Sequence, residues 1–144
     1  IKGGLDENTS KDENSEIPVL GKIAAGTPVE AIQNEVSRIP LPSNIEKNGE
    51  FFGLKVQGDS MIEAGIFAGD FVVARKQETA DSGEIVVAGI PGEEATVKTF
   101  NQEGDDIILE PANATMTPMR FKANTHPDGQ VQIFGKVVTV LRKV

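Results

Sequence analysis

Ser60 is the residue of this chain that is best placed to act as a nucleophile. The sequence pattern predicts that a strand ends at Gly58 and that Ser60 stands where the chain turns into a short helix. Such a position exposes the hydroxyl and leaves the neighbouring backbone N–H groups without helical partners. These N–H groups are suited to receive the oxyanion of a tetrahedral intermediate. A helix cap at Asp59 or Ser60, with Gly58 in the turn, explains the same residues without any chemistry.

Lys98 is the candidate base for this serine. The single histidine, His126, lies in a predicted turn with no activated serine near it, so a Ser-His-Asp triad is not indicated. Lys98 lies in a predicted strand, on the same face as Thr96 and Phe100. An ordinary lysine is neutral only about once in 2,500 at pH 7, a handicap of about 4.6 kcal/mol that burial can reduce. The alternative is an exposed strand lysine whose stem covers apolar surface.

The composition offers little to a metal ion or a cofactor. The chain has no cysteine and one histidine, so only carboxylate metal sites remain. The pairs Asp105-Asp106 and Glu93-Glu94 are interpreted as solvated turn charges. No glycine-rich phosphate loop follows a strand and opens a helix. We therefore expect neither a metal nor a cofactor.

The charge and hydropathy of the chain exclude other classes of function. The net charge is −8 and the 14 basic residues are scattered, which argues against direct contact with DNA. No stretch approaches the roughly 20 apolar residues of a transmembrane helix, and no secretory signal is visible. Because disulfides are also absent, we expect a cytoplasmic protein without membrane contact.

The chain is predicted to have two parts. Residues 1–16 contain almost nothing that could be buried and are interpreted as a disordered acidic linker. We expect this linker to lead to a missing N-terminal domain, although a frayed terminus without a neighbour is the alternative. Residues 17–144 are expected to form the folded domain.

The folded part is predicted to be all-β. Short runs rich in Val and Ile recur between Gly, Pro, Asn and Asp. We expect curved, partly closed β-sheets of short strands, with one short helix over Ser60–Ala64. The expected strands are Ile17–Ala24, Phe51–Gln57, Phe71–Arg75, Glu84–Ile90, Glu94–Asn101, Asp106–Glu110 and Val131–Arg142.

Several segments resemble the LexA, UmuD and phage-repressor peptidase family. They are the nucleophile region Gly58–Met61 with Gly65–Asp70 behind it, the lysine strand Thr96–Lys98, the cleavage segment Val19–Pro28 and the terminus Phe134–Val140. The resemblance runs from about residue 17 to residue 144. The nucleophile, lysine and cleavage motifs in the right order are a specific signal, where any one of them would not be.

This resemblance implies a Ser–Lys peptidase that cuts its own chain. Ser60 would be the nucleophile, Lys98 the general base, and the bond between Ala25 and Gly26 the one that is cut. The backbone N–H groups of Ser60 and Met61 would form the oxyanion hole. An enzyme joined to its own substrate needs a restraint, so we expect the cleavage loop to be mostly swung away from the serine.

The resemblance also implies partners and a biological role. The expected protein is a LexA-type repressor of the DNA-damage (SOS) response, whose cleavage is stimulated by a RecA–single-stranded DNA filament. Operator DNA would be bound only by the missing N-terminal domain, as a winged helix-turn-helix. A UmuD-like polymerase accessory, a prophage repressor, and a non-enzymatic β dimerisation module in which Ser60 is only a cap remain alternatives. Signal peptidase, which shares the Ser–Lys chemistry, is disfavoured because the sequence contains no membrane anchor.

The C-terminal strand, residues 131–142, predicts a homodimer. Val137–Leu141 is apolar on both faces, and an uncovered apolar edge strand invites pairing with a second copy about a two-fold axis. The family resemblance implies the same dimer. The alternative is a central strand that is buried within one copy of the chain.

Overall fold

The described part of the chain contains nine β-strands and one 3-10 helix. The structure is a computed structural model, and it describes residues 15–28, 32, 34–122 and 131–142. The 3-10 helix is Ile62–Ala64. The strands are β1 (Glu16–Leu20), β2 (Glu35–Pro40), β3 (Phe51–Lys55), β4 (Phe71–Lys76), β5 (Ile85–Gly89), β6 (Thr96–Glu103), β7 (Asp106–Glu110), β8 (Met119–Lys122) and β9 (Gln132–Leu141).

All nine strands join one sheet, in the order β2-β1-β3-β4-β9-β5-β6-β7-β8. The pair β1 and β3 is parallel, and the other neighbours are antiparallel. The prediction of an all-β fold is confirmed. The sheet is continuous and open, where we expected several partly closed sheets. The long strand β9 is the reason, because it pairs with β4 on one side and with β5 on the other and so joins the two halves.

The largest apolar cluster lies where the candidate nucleophile and base approach each other. Phe52 and Phe134 are fully buried in it, and Met61 and Val97 pack with them at 1% and 6% exposure. Burying side chains of this size contributes about 1.5–3 kcal/mol each. The residues directly after Ser60 and directly before Lys98 are therefore anchored in the same core.

The seven strands predicted from sequence are all present, and their ends differ from the predicted ones by at most four residues. The predicted helix over Ser60–Ala64 is present as a single 3-10 turn that begins at Ile62. The first predicted strand ends at Leu20 and not at Ala24. The N–H of Gly21 instead donates to the carbonyl of Asn34 at 2.8 Å, and the chain leaves the sheet there.

Two strands, β2 and β8, were missed, and both lie at the edges of the sheet. In β2 every residue except Ile39 is exposed, and β8 alternates between half-buried and exposed positions. An edge strand has only one neighbour, so it needs little apolar surface and leaves a weak pattern in the sequence.

Among the described strands, β9 has one neighbour along most of its length and two neighbours at residues 135–136. Residues 132–136 pair with β5, whereas residues 135–141 pair with β4. The expectation that the C-terminal strand is an edge strand is therefore wrong, because β9 lies between β4 and β5 in the sheet. For Val137–Leu141, no described strand pairs on the side away from β4.

Some of the predictions fall outside the described residues. His126 and most of the acidic linker, residues 1–14, belong to this group, while Glu16 already opens β1. Within the described ranges, no helix has the length and apolar character needed to cross a membrane.

Candidate active site

Ser60 lies on a loop between β3 and β4 whose two ends are tied together. The N–H of Val56 donates to the carbonyl of Asp70 at 2.8 Å, and the N–H of Gly69 donates back to the carbonyl of Val56 at 2.9 Å. Gly58 has a φ of 77°, a left-handed conformation that glycine adopts readily. The chain thus turns sharply before Ser60, and the loop is closed like a hairpin.

Met61, the residue after Ser60, anchors the loop in the apolar core. Met61 is 1% exposed, and its carbonyl accepts hydrogen bonds from the N–H groups of Ala64 and Ile66 at 3.1 and 3.2 Å. The side chain of Met61 belongs to the apolar core. Ser60 is half-buried at the mouth of this arrangement.

Lys98 reaches Ser60 from strand β6. Its Nζ atom lies 3.1 Å from the Ser60 Oγ atom and 2.5 Å from the Thr96 Oγ1 atom. Lys98 is only 8% exposed, and it lies opposite Val86 of β5 in the sheet. The structure thus brings together the two residues that were predicted to form the dyad.

Burial lowers the pKa of Lys98 below its ordinary value, and the negative charge of Glu93 opposes this shift more weakly. A lower pKa raises the fraction of neutral amine at neutral pH. The neutral amine has one lone pair, which can accept the Ser60 proton, and it can donate one of its own protons to Thr96 Oγ1. Thr96 therefore orients the lone pair. The sequence showed only that Thr96 and Lys98 share a face.

The backbone N–H groups next to the serine are available. Among the described residues, no hydrogen bond uses the N–H of Ser60 or Met61. These are the two donors that were expected to form an oxyanion hole.

Ala25 and Gly26 lie away from Ser60. A cleft of about 440 Å³ is lined by Ser60, Met61 and Thr96 together with residues 19–23. Ala25 and Gly26 line a different cleft, of about 590 Å³, near the start of β9. The segment just before the cleavage bond thus forms a wall of the serine cleft, while the bond itself is outside it.

The cleavage turn is held in this position by few contacts. The carbonyl of Ile23 accepts from the N–H of Ala95 at 3.1 Å, and Ala24 forms an isolated bridge with Glu94. Beyond that point, the Gln132 side chain accepts from the N–H of Gly26 at 2.8 Å and donates to the carbonyl of Thr27 at 2.6 Å. Sequence reasoning missed Gln132, because nothing local connects it to a turn more than 100 residues away.

Comparison with known proteins places this arrangement in a family. The sequence profile of the peptidase S24-like family matches residues 18–138. This chain belongs to the peptidase S24-like family. The resemblance inferred from the motifs is thereby confirmed, and membership of this family supports serine-peptidase chemistry.

Two proteins that are similar to this chain are LexA repressors. The LexA repressor of Pelagibacter ubique (strain HTCC1062) is 59% identical over 143 residues, which are 99% of this chain and 61% of that protein. The LexA repressor of Halalkalibacterium halodurans is 44% identical over 140 residues, which are 97% of this chain and 64% of that protein. The chain thus spans less than two thirds of the length of these relatives.

The described part of this S24-like chain contains no group of three or more His, Cys, Asp or Glu residues that could hold a metal ion.

Proposed function

We propose that this chain is the self-cleaving part of a LexA-type repressor of the DNA-damage response and that it cuts its own Ala25–Gly26 bond. The observation that carries the proposal is the 3.1 Å contact between the Ser60 hydroxyl and a buried lysine amine. An exposed strand lysine, or a serine that only caps a helix, needs no such contact. The family membership and the similarity to two LexA repressors support the same conclusion.

The proposed reaction uses one proton carrier throughout. Neutral Lys98 takes the hydroxyl proton of Ser60 as Oγ attacks the carbonyl carbon of Ala25. The carbonyl oxygen becomes an oxyanion, which the N–H groups of Ser60 and Met61 stabilise. When the intermediate collapses, Lys98 gives its proton to the nitrogen of Gly26, the C–N bond breaks, and an amine leaves. Water then attacks the ester and gives one proton to Lys98, which returns it to Ser60 Oγ as the new carboxyl end leaves.

Control of this reaction rests on the position of the substrate. Joining enzyme and substrate in one chain is equivalent to an effective concentration of roughly 10⁵ M or more when the geometry is right. The turn with Ala25 and Gly26 lies outside the Ser60 cleft in the structure, so the bond is protected in this state. We propose that a docked state is a minor population and that a RecA–single-stranded DNA filament raises it.

The second half of β9 supports a homodimer. Among the described strands only β4 pairs with Val137–Leu141, and Val138, Thr139 and Val140 are half-buried within one copy of the chain. Pairing with the same segment of a second copy about a two-fold axis covers that edge. A dimer presents two N-terminal DNA-binding domains to a two-fold operator, which a repressor in the cytoplasm requires.

Sedimentation equilibrium at tens of micromolar tests the dimer. We expect twice the chain mass of 15.4 kDa, and a species near 15.4 kDa would contradict it. If Val138→Asp, on the pairing segment, leaves the dimer intact in a folded protein, the interface lies elsewhere.

Incubation of the purified chain at pH 10 tests the proposed activity, with the mass of the products as the measurement. Two fragments are expected from a self-cleaving protein. A β dimerisation module without activity would stay intact. A UmuD-like accessory or prophage repressor would also cleave, so the DNA bound by the full-length protein distinguishes it from a LexA-type repressor.

A further inference from the structure

The loop between β7 and β8 contacts the nucleophile turn on both sides of Ser60. Asn113 is 7% exposed, and its Nδ2 atom donates to the carbonyl oxygen of Asp59 at 2.8 Å. On the other side, the N–H of Glu63 donates to the carbonyl of Ala112, and the N–H of Ala114 donates to Glu63 Oε2, both at 2.8 Å. The buried side-chain amide of Asn113 thus donates a hydrogen bond to the peptide group that joins Asp59 to Ser60.

This contact fixes the direction of a catalytic N–H. A peptide unit is planar and trans, so its C=O and N–H point in opposite directions. Holding the oxygen of Asp59 therefore also sets where the N–H of Ser60 points. The acceptor side of the Asn113 amide is used as well, since Oδ1 accepts from the N–H and the hydroxyl of Thr115 at 2.9 and 2.7 Å. The amide cannot rotate without losing these bonds.

We infer that Asn113 is a positioning residue that aims the Ser60 N–H at the oxyanion. This inference rests on the proposed function. Among the described residues, no hydrogen bond joins Asn113 to the Lys98 amine or to the cleavage turn. Its loss should therefore reduce the stabilisation of the intermediate without altering the protonation of Lys98. Removing one oxyanion donor lowers turnover by about 10²–10³-fold, and misdirecting one should have a smaller effect.

The test compares Asn113→Asp and Asn113→Ala with Thr115→Val. The first two variants remove the donor to Asp59, whereas Thr115→Val removes only the hydroxyl bond on the other side of the amide. Cleavage is measured from pH 7 to 11 and normalised to the folded fraction, so that the rate of a destabilised variant can still be compared with that of wild type. We expect the plateau rate to fall at least about tenfold in both Asn113 variants, with an unchanged apparent pKa, and to stay within about twofold of wild type in Thr115→Val.

An unchanged plateau in folded Asn113→Ala would overturn the inference. So would a shifted apparent pKa without loss of plateau, since Asn113 would then act on Lys98. Failure of the proposed function looks different, because wild type itself would then not cleave or would cleave without Ser60.

A second observation stands independently of the first. Gln132 uses both ends of its side-chain amide on the cleavage turn, one on the Gly26 N–H and one on the Thr27 carbonyl. The Gly26 nitrogen is the leaving group of the proposed reaction. The turn itself adds a weak bond of 3.3 Å from the Thr27 N–H to the Ala24 carbonyl. Moving Gly26 towards Ser60 therefore requires both Gln132 bonds to break.

We propose that Gln132 is the latch that keeps the cleavage turn away from the serine. This proposal also rests on the proposed function. Because the latch stabilises only the undocked state, its removal raises the docked population and the rate without changing the chemistry. Two lost hydrogen bonds of ordinary net strength justify an acceleration of about tenfold.

Gln132→Leu is the direct test, and Gln102→Leu is its matched control. Gln102 lines the same cleft, but its side chain donates to the carbonyl of Gly104 and not to the turn. Self-cleavage without any stimulant should be about tenfold faster in Gln132→Leu and unchanged in Gln102→Leu. A gain in rate cannot come from misfolding, which would slow the reaction. In a Ser60→Ala background, hydrogen exchange at the Gly26 amide should become faster with Gln132→Leu.

An unchanged or slower rate in Gln132→Leu would overturn the latch, as would unchanged exchange at Gly26. If Gln132→Leu accelerates cleavage even with Ser60→Ala, the proposed Ser60 mechanism fails instead.

Discussion

The dyad and the turn that it is proposed to cut are built in different ways. Ser60 lies on a loop closed by backbone hydrogen bonds, and Lys98 lies on a strand with neighbours on both sides. Beyond Ala24, the turn is held chiefly by one side chain, Gln132, and Gly26 is exposed. In the proposed function, the catalytic groups thus have their working geometry before the substrate arrives, and control lies in the turn, which is held by fewer contacts.

Loss of either dyad residue should have the largest effect. Ser60→Ala removes the attacking oxygen and Lys98→Ala removes the proton carrier, so each should slow self-cleavage by about 10³-fold or more. Because the two residues act as a unit, the double variant should be no slower than either single variant. Fragment yield on denaturing gels measures this. Additive losses would show that the two residues act separately.

The pH dependence should follow the neutral fraction of Lys98. Below the pKa of Lys98, each pH unit should raise the rate about tenfold, because only the neutral amine accepts the proton. Burial lowers this pKa from its ordinary 10.5, so the rate should level off at a lower pH than for an exposed lysine. Rates measured from pH 6 to 11 give the midpoint, and His126→Ala should reproduce the same curve. A flat profile would contradict a neutral lysine base.

Changes in the turn should slow cleavage without altering the dyad. Gly26 has a φ of 96°, which β-branched residues rarely adopt, so Gly26→Val should disfavour both the turn and its docking. Ala25→Asp adds a charge that must lose hydration when the turn docks at Ser60. Misplacement of reacting atoms by about 1 Å can lower rates about 100-fold, and we expect losses of this order. A shift in the apparent pKa of the reaction would show that the substitution also alters Ser60 or Lys98.

A carboxylate behind the nucleophile loop should affect stability more than rate. Asp70 is 3% exposed, accepts from Arg142 Nε and Nη2 at 2.8 Å each, and accepts from the N–H of Phe67 at 2.8 Å. The Arg142 hydrogen bonds, and then the Phe67 bond, lower the pKa of Asp70 from 3.8 to about 2.

A carboxylate whose pKa is lowered by folding adds stability above its unfolded value. This contribution is complete above about pH 4 and is lost as the pH falls towards 2. The urea midpoint of wild type should therefore drop over this range. Asp70→Asn should be less stable at pH 7 and should lose less stability on acidification. An equal drop in both proteins would assign the acid sensitivity to other carboxylates.

The sequence was sufficient to predict the central strands and to single out Ser60 and Lys98, which the structure brings within 3.1 Å of each other. The core strands are apolar runs bounded by turn residues, so the pattern of Val86 and Val87 or of Ile108 and Leu109 reflects their burial directly. Ser60 and Lys98 are predicted because the sequence offers no better base for a serine nucleophile. Three family motifs also occur in the expected order along the chain. Burial and the 3.1 Å contact then gave this pair a physical basis.

Features that depend on distant pairing were not accessible. The exposed strand β2 has almost no apolar signal, because β1 supplies its only neighbour. Gln132 and Asn113 form hydrogen bonds with backbone atoms that are far away in the chain. The sequence does not distinguish such an amide side chain from one that lies in an ordinary loop. The edge position predicted for β9 was wrong, because its two halves have different neighbours.

Intact mass spectrometry of the purified chain at pH 10 tests most directly whether Ser60 and Lys98 cut the turn that contains Ala25 and Gly26. Wild type should yield two fragments, residues 1–25 and 26–144, at a rate that does not depend on protein concentration. Ser60→Ala, incubated alongside, should remain at full mass. Cleavage at any other bond, or the same two fragments from Ser60→Ala, would contradict the assignment of Ser60, Lys98 and the Ala25–Gly26 bond to one reaction.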